Sequence, residues 1–240
     1  MADKIRLLYA GKAKKVFETT DPDYLIVEYL DQLTALNGAK LEIKEGKGIV
    51  ASQISNLLFN YLNREGIKTH HMKALNNREV LVKKLSMIPL EVVLRNRVAG
   101  SLEKRFKLER GQKIEPIIEF YYKNDELDDP FMCEDHIRIL GLISEEKLVE
   151  IKNLTNVINQ LLISLFNKAN LELVDFKLEF GLDKNGELIL ADEISPDNCR
   201  IWDSQNLTSL DKDLFRQDSG DVIAAYQLVL KRLEEITNKL

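Results

Sequence analysis

Apolar and charged residues alternate along Asp175–Phe180, with Asp, Lys and Glu at the odd positions and Phe, Leu and Phe at the even ones. This period of two predicts a strand with one apolar and one charged face. Asn185-Gly186 follows, a pair that favours a hairpin turn because both residues tolerate positive φ. If these two residues form the loop, Glu179 lies opposite Asp192, and facing carboxylates repel. We therefore expect a cation there, and oxygen ligands suit magnesium. A longer turn would break this direct pairing.

Helical periodicity marks three other segments. An apolar stripe from Ile49 to Leu62 predicts a helix that Gly66 stops, Ser144 is a helix N-cap, and a last helix begins near Ser219. Runs of β-branched and aromatic residues predict further strands at Arg6–Tyr9, Lys15–Thr19, Tyr24–Leu30, Glu79–Leu85 and Pro89–Arg95. Because the order lacks regular βαβ units, the class is α+β, with a small strand-rich lobe over 1–85 and a larger lobe over 86–240.

Composition narrows the class of protein. The 240 residues are 45% hydrophobic and 30% charged, which is typical of a soluble globular chain. A net charge of −5 does not favour a general nucleic-acid or membrane-surface binder. Two cysteines argue against a disulfide framework, and three histidines are too few and poorly spaced for a zinc site. No secretory segment and no run near the roughly 20 apolar residues of a membrane span is evident, so we expect a cytoplasmic protein.

Several charged turns could carry chemistry. Lysines in Gly11–Lys15 and Gly46–Gly48 could neutralise phosphates, and Arg95–Ser101 could grip a phosphate or carboxylate. Lys123–Pro130 and Asp211–Arg216 add more charge. Each segment alone could equally be a solvated surface turn. The P-loop, Rossmann, nucleophile-elbow and kinase catalytic-loop patterns are absent. Together the lysines, carboxylates and arginines indicate a Mg-nucleotide enzyme acting on an anionic substrate, without fixing the reaction.

Longer strings carry a family resemblance over nearly the whole chain. The most specific are Pro89–Val93 with Arg95-Asn96, Ala99–Ser101, Asp175–Gly181, Asp192–Asp197 and Arg200–Trp202. With them the chain resembles the SAICAR synthetase family, the phosphoribosylaminoimidazole-succinocarboxamide synthases. The resemblance implies an ATP-grasp-like fold with the nucleotide between the two lobes. It also implies a ligase that joins L-aspartate to the carboxylate of carboxyaminoimidazole ribonucleotide (CAIR) through an acyl phosphate, giving SAICAR, ADP and phosphate.

The resemblance also implies roles for individual residues. Glu179 and Asp192 would hold Mg²⁺, and Lys177 and Asp175 would be the catalytic residues. The nucleotide would contact Lys12, Lys14, Lys83, Met87, Lys123 and Asp129. Arg95, Ser101 and Arg200 would bind CAIR, its phosphate included. Asp197, Lys212 and Arg216 would complete the substrate pocket.

The N-terminal lobe departs from the family pattern at Leu36, at Asp31–Leu33 and in the charged Lys40–Gly46 segment. These departures leave the reaction assignment standing. A small-molecule kinase of related fold is the alternative, and a non-catalytic nucleotide-binding module is a third reading. A homodimer is the expectation from the family, with no nucleic-acid or membrane partner.

Overall fold

The computed structural model describes residues 3–35 and 40–239; Leu36, where the sequence departs from the family pattern, lies outside these ranges. The N-terminal strands are β1 (Lys4–Ala10), β2 (Lys14–Thr19), β3 (Tyr24–Tyr29), β4 (Gln32–Ala35), β5 (Lys40–Ile43), β6 (His71–Ala74) and β7 (Glu79–Lys83). Five of them form an antiparallel sheet in the order β1-β2-β3-β7-β6, and β4 pairs with β5 as a separate ribbon.

A second antiparallel sheet follows at once along the chain. Its strands are β8 (Ser86–Arg97), β9 (Lys113–Tyr122), β10 (Phe131–Met132), β11 (Leu171–Leu182), β12 (Leu188–Ala191) and β13 (Cys199–Asp203). The order is β10-β9-β8-β11-β12, and β13 also pairs with β11. The His70 amide donates to the Leu190 carbonyl at 2.8 Å, and the Leu190 amide donates to the Lys68 carbonyl at 3.0 Å. These bonds join the two sheets beside β12.

Within the described residues the α-helices are α1 (Lys47–Arg64), α2 (Gly100–Phe106), α3 (Glu134–Ile139), α4 (Glu145–Lys168), α5 (Asp213–Arg216) and α6 (Val222–Thr237). Two predicted helix ends are confirmed: Ser144 caps α4, and Gly66 follows α1 with φ of 87°. The last helix begins later than predicted. Asp221 is its cap, because its Oδ1 accepts from the amides of Ile223 and Ala224 at 2.9 and 3.2 Å. No helix in the described ranges is long and apolar enough to cross a lipid bilayer.

The main core lies between helices α1, α4 and α6 and the second sheet, where Leu58, Leu90, Leu162, Phe176 and Tyr226 are almost fully buried. A smaller core under the first sheet also takes Ala51 of α1, so α1 contributes to both cores. Burying each large apolar side chain contributes roughly 1.5–3 kcal/mol. Because Phe176, Leu178 and Phe180 of β11 are committed to the main core, Asp175, Lys177 and Glu179 are available to the opposite face.

The predicted register of the hairpin is wrong by one residue. Glu179 pairs with Ala191 and Leu182 with Leu188, so the loop is the longer one that spans 183–187. Asp183 stabilises this loop, since its Oδ1 accepts from the amides of Asn185 and Glu187 at 2.8 and 2.9 Å. Asp192 therefore does not lie opposite Glu179.

Candidate active site

A cleft of about 590 Å³ lies between the two sheets. The turn after β1 and strands β3 and β7 line one side, and β8, β11 and the segments after β12 line the other. The structure places all the residues predicted from the sequence in its lining: Lys12, Lys14, Lys83, Met87, Arg95, Ser101, Lys123, Asp129, Asp175, Lys177, Glu179, Asp192, Asp197, Arg200, Lys212 and Arg216. The roles of these residues stay predictions, but one cleft brings them together from distant parts of the chain.

Lys177 lies among three carboxylates. Its Nζ is 2.5 Å from Glu179 Oε1, 2.9 Å from Glu91 Oε1 and 3.6 Å from Asp192 Oδ2. Burial acts to lower the pKa of Lys177, but the three carboxylates outweigh it and hold the pKa well above the ordinary lysine value. Lys177 is therefore a fixed positive charge and cannot serve as a proton acceptor near neutral pH.

Glu179 and Asp192 each have a further lysine partner. Lys123 Nζ is 2.5 Å from Glu179 Oε1, and Lys14 binds both Asp192 and Glu193, the latter at 2.9 Å. Burial opposes ionisation of Asp192, but the lysines outweigh it, so its pKa lies below the usual range. Asp192 thus stays charged, and Glu179 and Asp192 converge on one region of the cleft, where both contact Lys177, although they are not paired across the hairpin.

The donor chemistry of this region fits magnesium. Magnesium prefers hard oxygens and is usually bound through one or two carboxylates together with substrate phosphates. Glu179 and Asp192 supply two such carboxylates. Within residues 3–35 and 40–239 there is no cluster of three or more His, Cys, Asp or Glu side chains that could hold a metal ion. The remaining ligands would therefore have to come from a nucleotide and from water.

A row of alternating charges crosses the second sheet. Arg95, Asp175 and Arg200 are paired in register across β8, β11 and β13. Asp175 Oδ2 accepts from Arg95 Nη1 at 2.8 Å and from Arg200 Nη1 at 2.9 Å. Arg95 also donates to Glu119 Oε2 at 2.7 Å and Ser101 Oγ at 2.8 Å. The guanidinium of Arg95 is therefore largely committed within the protein, and it positions the Ser101 hydroxyl.

The row continues into α5. Arg200 Nε donates to Asp213 Oδ2 at 2.8 Å, and Arg216 Nη1 donates to Asp213 Oδ1 at 2.5 Å. Gly100 leaves the space that Arg200 occupies: a Cβ added there would lie 2.4 Å from Arg200 Nη2. Its φ of 59° also favours glycine. Arg200 and Arg216 consequently reach the cleft wall together from different elements.

Asp197 and Lys212 differ in how many hydrogen bonds and ion pairs their side chains make within the protein. Asp197 accepts from Lys47 Nζ at 2.5 Å and from the Tyr226 hydroxyl at 2.9 Å, so two buried side chains already hold it. Lys212 Nζ makes no hydrogen bond or ion pair with any residue in the described ranges. Burial lowers the pKa of Lys212 despite the nearby carboxylate of Asp197. An uncompensated ammonium at a cleft wall favours an incoming anion.

The opposite end of the cleft is more apolar. Val16, Leu25, Val82 and Leu85 line it beside the predicted nucleotide contact Met87. Lys12 and Lys83 are exposed at its entrance. Asp129, with φ of 45°, accepts from the Asn124 amide at 2.9 Å. Asp129 therefore also shapes the loop that carries Lys123.

Some residues of the site were not predicted from the sequence. Glu91 shares a face of β8 with Arg95, so the alternation along that strand was a signal that could have identified it. Lys47 was interpreted as part of an anion-binding turn, but it is fully buried against Asp197. No local pattern pointed to Glu119, because its partners Arg95 and Arg105 are on other elements. Asp213 lies in the charged Asp211–Arg216 segment, but its pairing with Arg200 of β13 was not predicted.

Comparison with known proteins identifies the family of the chain. The chain matches the family model described as SAICAR synthetase over residues 7–233. The chain belongs to the SAICAR synthetase family. The family predicted from the sequence is thus confirmed, and with it the class of enzyme, a carbon–nitrogen ligase of purine biosynthesis.

Relatives in this family match the chain over nearly their full length. Phosphoribosylaminoimidazole-succinocarboxamide synthase from Staphylococcus saprophyticus is 48% identical over 96% of this chain and 99% of its own. The crystal structure of the enzyme from Ehrlichia chaffeensis has a TM-score of 0.94 at 46% identity, covering 95% of this chain and 98% of that one. A SAICAR synthetase in complex with ADP has a TM-score of 0.92 at 48% identity, covering 95% of this chain and 97% of that one.

Proposed function

We propose that this SAICAR synthetase joins L-aspartate to the carboxylate of CAIR at the expense of ATP, through an acyl phosphate. The observation that carries the proposal is one cleft in which the Lys177 cluster lies between an apolar, lysine-rimmed end and a row of arginines. The two ends suit a nucleotide and a second anionic substrate. The family relation and the ADP complex of a relative support the same assignment.

The first step activates the imidazole carboxylate. A carboxylate oxygen attacks the γ-phosphorus, the bond to ADP breaks, and the acyl phosphate forms. Lys177, held as a cation by Glu91, would orient the reacting carboxylate and offset charge on the transferring group. Glu179 and Asp192 would hold Mg²⁺, which supplies further charge neutralisation to the phosphates when bound.

The second step forms the amide. The free amine of L-aspartate attacks the acyl carbon, and phosphate leaves with the C–O bond electrons. This order follows from chemistry, since a free carboxylate is a poor electrophile and phosphate is a good leaving group. Because the pKa of Lys177 is raised, the proton of the amine has to leave to another acceptor.

The other predicted roles complete the proposal. Lys12, Lys14, Lys83 and Lys123 would contact the ATP phosphates, with Met87 and Asp129 beside the nucleoside. Arg95, Ser101 and Arg200 would bind CAIR, and Asp175 would hold their arrangement from within the row. Asp197, Lys212 and Arg216 would complete the substrate pocket. An ATP-grasp-like division into lobes 1–85 and 86–240, a homodimer and a cytoplasmic location remain part of this proposal.

Aspartate-dependent product formation tests the proposed function. The purified enzyme is given Mg-ATP and CAIR, and ADP and SAICAR are quantified with and without L-aspartate. We expect SAICAR and stoichiometric ADP only when L-aspartate is present in the assay. A kinase would release ADP without an amide product and would transfer phosphate to a hydroxyl; that result, or no amide, would overturn the ligase assignment.

A further inference from the structure

Asp213 touches two arginines of the cleft wall without itself lining the cleft. Its side chain is only 6% exposed, and it lies behind Arg200 and Arg216. One carboxylate oxygen accepts from Arg200 Nε at 2.8 Å and the other accepts from Arg216 Nη1 at 2.5 Å. A single buried carboxylate thus ties together a guanidinium from β13 and one from α5.

The backbone of Asp213 is fixed as well. Its amide donates to Asp211 Oδ1 at 2.7 Å, and Asp211 Oδ2 accepts from the Ile201 amide at 2.9 Å. Asp211 therefore ties the start of α5 to β13 at the residue that follows Arg200. At the other end of α5, Lys40 Nζ donates to the Phe215 carbonyl at 2.6 Å. The position of Asp213 is set from both ends of its short helix.

Electrostatics explains why a carboxylate is needed at this place. Two guanidiniums that face the same region repel each other, and an arginine side chain without fixed partners has many rotamers. Burial opposes ionisation of Asp213, but Arg200 and Arg216 outweigh it, and the pKa of the carboxyl lies below its usual range. Asp213 therefore remains charged and offsets the repulsion between the two arginines. Arg216 remains 37% exposed, so part of its guanidinium is open to a ligand.

We propose that Asp213 is a positioning residue that holds Arg200 and Arg216 in one arrangement, so that both present N–H groups to an anionic group of the second substrate. The inference rests on the proposed function and extends it, because it assigns the wall at α5 to recognition of the substrate other than ATP. The anion is a phosphate or a carboxylate. CAIR carries a phosphate and a carboxylate, and L-aspartate carries carboxylates without a phosphate.

The test compares Asp213→Asn with wild type in steady-state assays that vary ATP, CAIR and L-aspartate separately. Asparagine keeps the size of the side chain but removes the charge that holds the arginines. We expect the KM of CAIR or of L-aspartate to rise about 10- to 100-fold, as for the loss of charged hydrogen bonds, with the KM of ATP within about twofold. The substrate whose KM rises is the one that Arg200 and Arg216 bind. Asp213→Glu, which keeps the charge, should recover part of the loss.

Glu172→Gln is the matched control, because Glu172 makes a similar ion pair with Arg97 at 2.7 Å but neither residue lines the cleft. It should lower the Tm without changing any KM. Unchanged KM values for CAIR and L-aspartate in Asp213→Asn, or an equal rise for ATP, would overturn the inference. If Asp213→Asn does not fold, Arg216→Gln replaces it, and the same KM must rise. Wild-type enzyme that makes no SAICAR would instead overturn the proposed function.

Discussion

Glu91 and Glu179 lie directly opposite each other across the ladder between β8 and β11, and Lys177 Nζ bridges them at 2.9 and 2.5 Å. Two carboxylates in these positions repel unless a cation lies between them. The structure supplies that cation from the chain itself, on the same face of β11. The facing pair of carboxylates that the sequence predicted for Glu179 and Asp192 is thus formed by Glu179 and Glu91 of β8.

Replacing Lys177, the bridging cation, should lower both the turnover and the stability of the protein. In Lys177→Met, Glu91 and Glu179 face each other without Lys177, and the reacting carboxylate loses its positive neighbour. We expect turnover to fall by roughly 10²–10³-fold, comparable with the loss of one preorganised charge in other enzymes. Lys68→Met is the control, since Lys68 is 62% exposed and pairs with Glu187 away from the cleft. Near wild-type turnover in Lys177→Met would contradict the assigned role.

The metal assignment predicts a specific dependence on magnesium. Glu179→Gln keeps the shape of the side chain but removes one of the two proposed carboxylate ligands. The Mg²⁺ concentration for half-maximal turnover should rise at least about tenfold, and Mg-dependent protection of the protein against thermal unfolding should weaken. Glu187→Gln, in the loop that follows β11, should leave both measurements unchanged. An unaltered magnesium requirement in Glu179→Gln would show that Glu179 is not a ligand.

The sequence predicted much of this site because the charged positions of β11 follow a local, two-residue period. The position of Ser144 as a cap and of Gly66 after α1 could also be predicted, since both depend on local backbone chemistry. The hairpin register could not be predicted from Asn185-Gly186 alone, because the side chain of Asp183 stabilises a longer loop. A one-residue change in register is enough to remove a direct cross-strand pair.

Ion pairs between residues far apart in the sequence could not be predicted from local sequence patterns. Lys47 and Asp197 are far apart in sequence but lie 2.5 Å apart in the fold, where the lysine is fully buried. A charged residue in a Gly-Lys-Gly turn is ordinarily exposed, so only the tertiary packing of α1 shows otherwise. Similarly, Arg95 lies in a sequence motif typical of anion binding, but most of its N–H groups donate to Glu119, Asp175 and Ser101.

Gly100 offers a test of how tightly Arg200 is placed. In Gly100→Ala the new Cβ would meet the Arg200 guanidinium, so the arginine has to move, and the φ of 59° adds strain of about 1–2 kcal/mol. Gly186→Ala has a similar φ of 76° but open space around the Cβ, so it carries the strain alone. We expect the Tm to fall in both variants, and further in Gly100→Ala, but the KM for CAIR or L-aspartate to rise only in Gly100→Ala. Equal kinetics for both variants would argue against a fixed Arg200.

The charge of Lys212 should lower the stability of the protein and favour binding of an anionic substrate. Its ammonium is partly desolvated and has no partner within the described ranges, so replacing it by methionine removes a destabilising charge. Lys212→Met should keep or raise the Tm while raising the KM of an anionic substrate at least about tenfold. Lys231→Met, at an exposed position of α6, is the control. A lower Tm with unchanged KM values would assign Lys212 a structural role.

His71 should make the fold sensitive to acid. Its ring is buried, stacks on Phe59 with centroids 5.9 Å apart, and its Nε2 has no partner among the described residues. Burial lowers the pKa of His71 in the folded protein, whereas an unfolded histidine has a pKa near 6.5. As the pH falls below about 6.5, His71 becomes protonated in the unfolded chain but stays neutral in the folded chain. The free energy of unfolding therefore decreases.

His71→Phe keeps the stacking and removes the titrating nitrogen. The free energy of unfolding, measured by urea denaturation at pH 7.5 and pH 5.5, should therefore fall less with acid in the variant than in wild type. At pH 7.5 the variant should gain about 1 kcal/mol, because a buried nitrogen without a partner is lost. Protonation of carboxylates such as Asp213 also lowers the free energy of unfolding in acid, but this contribution is the same in both proteins. Identical acid sensitivity in His71→Phe and wild type would mean that His71 is protonated in the folded state.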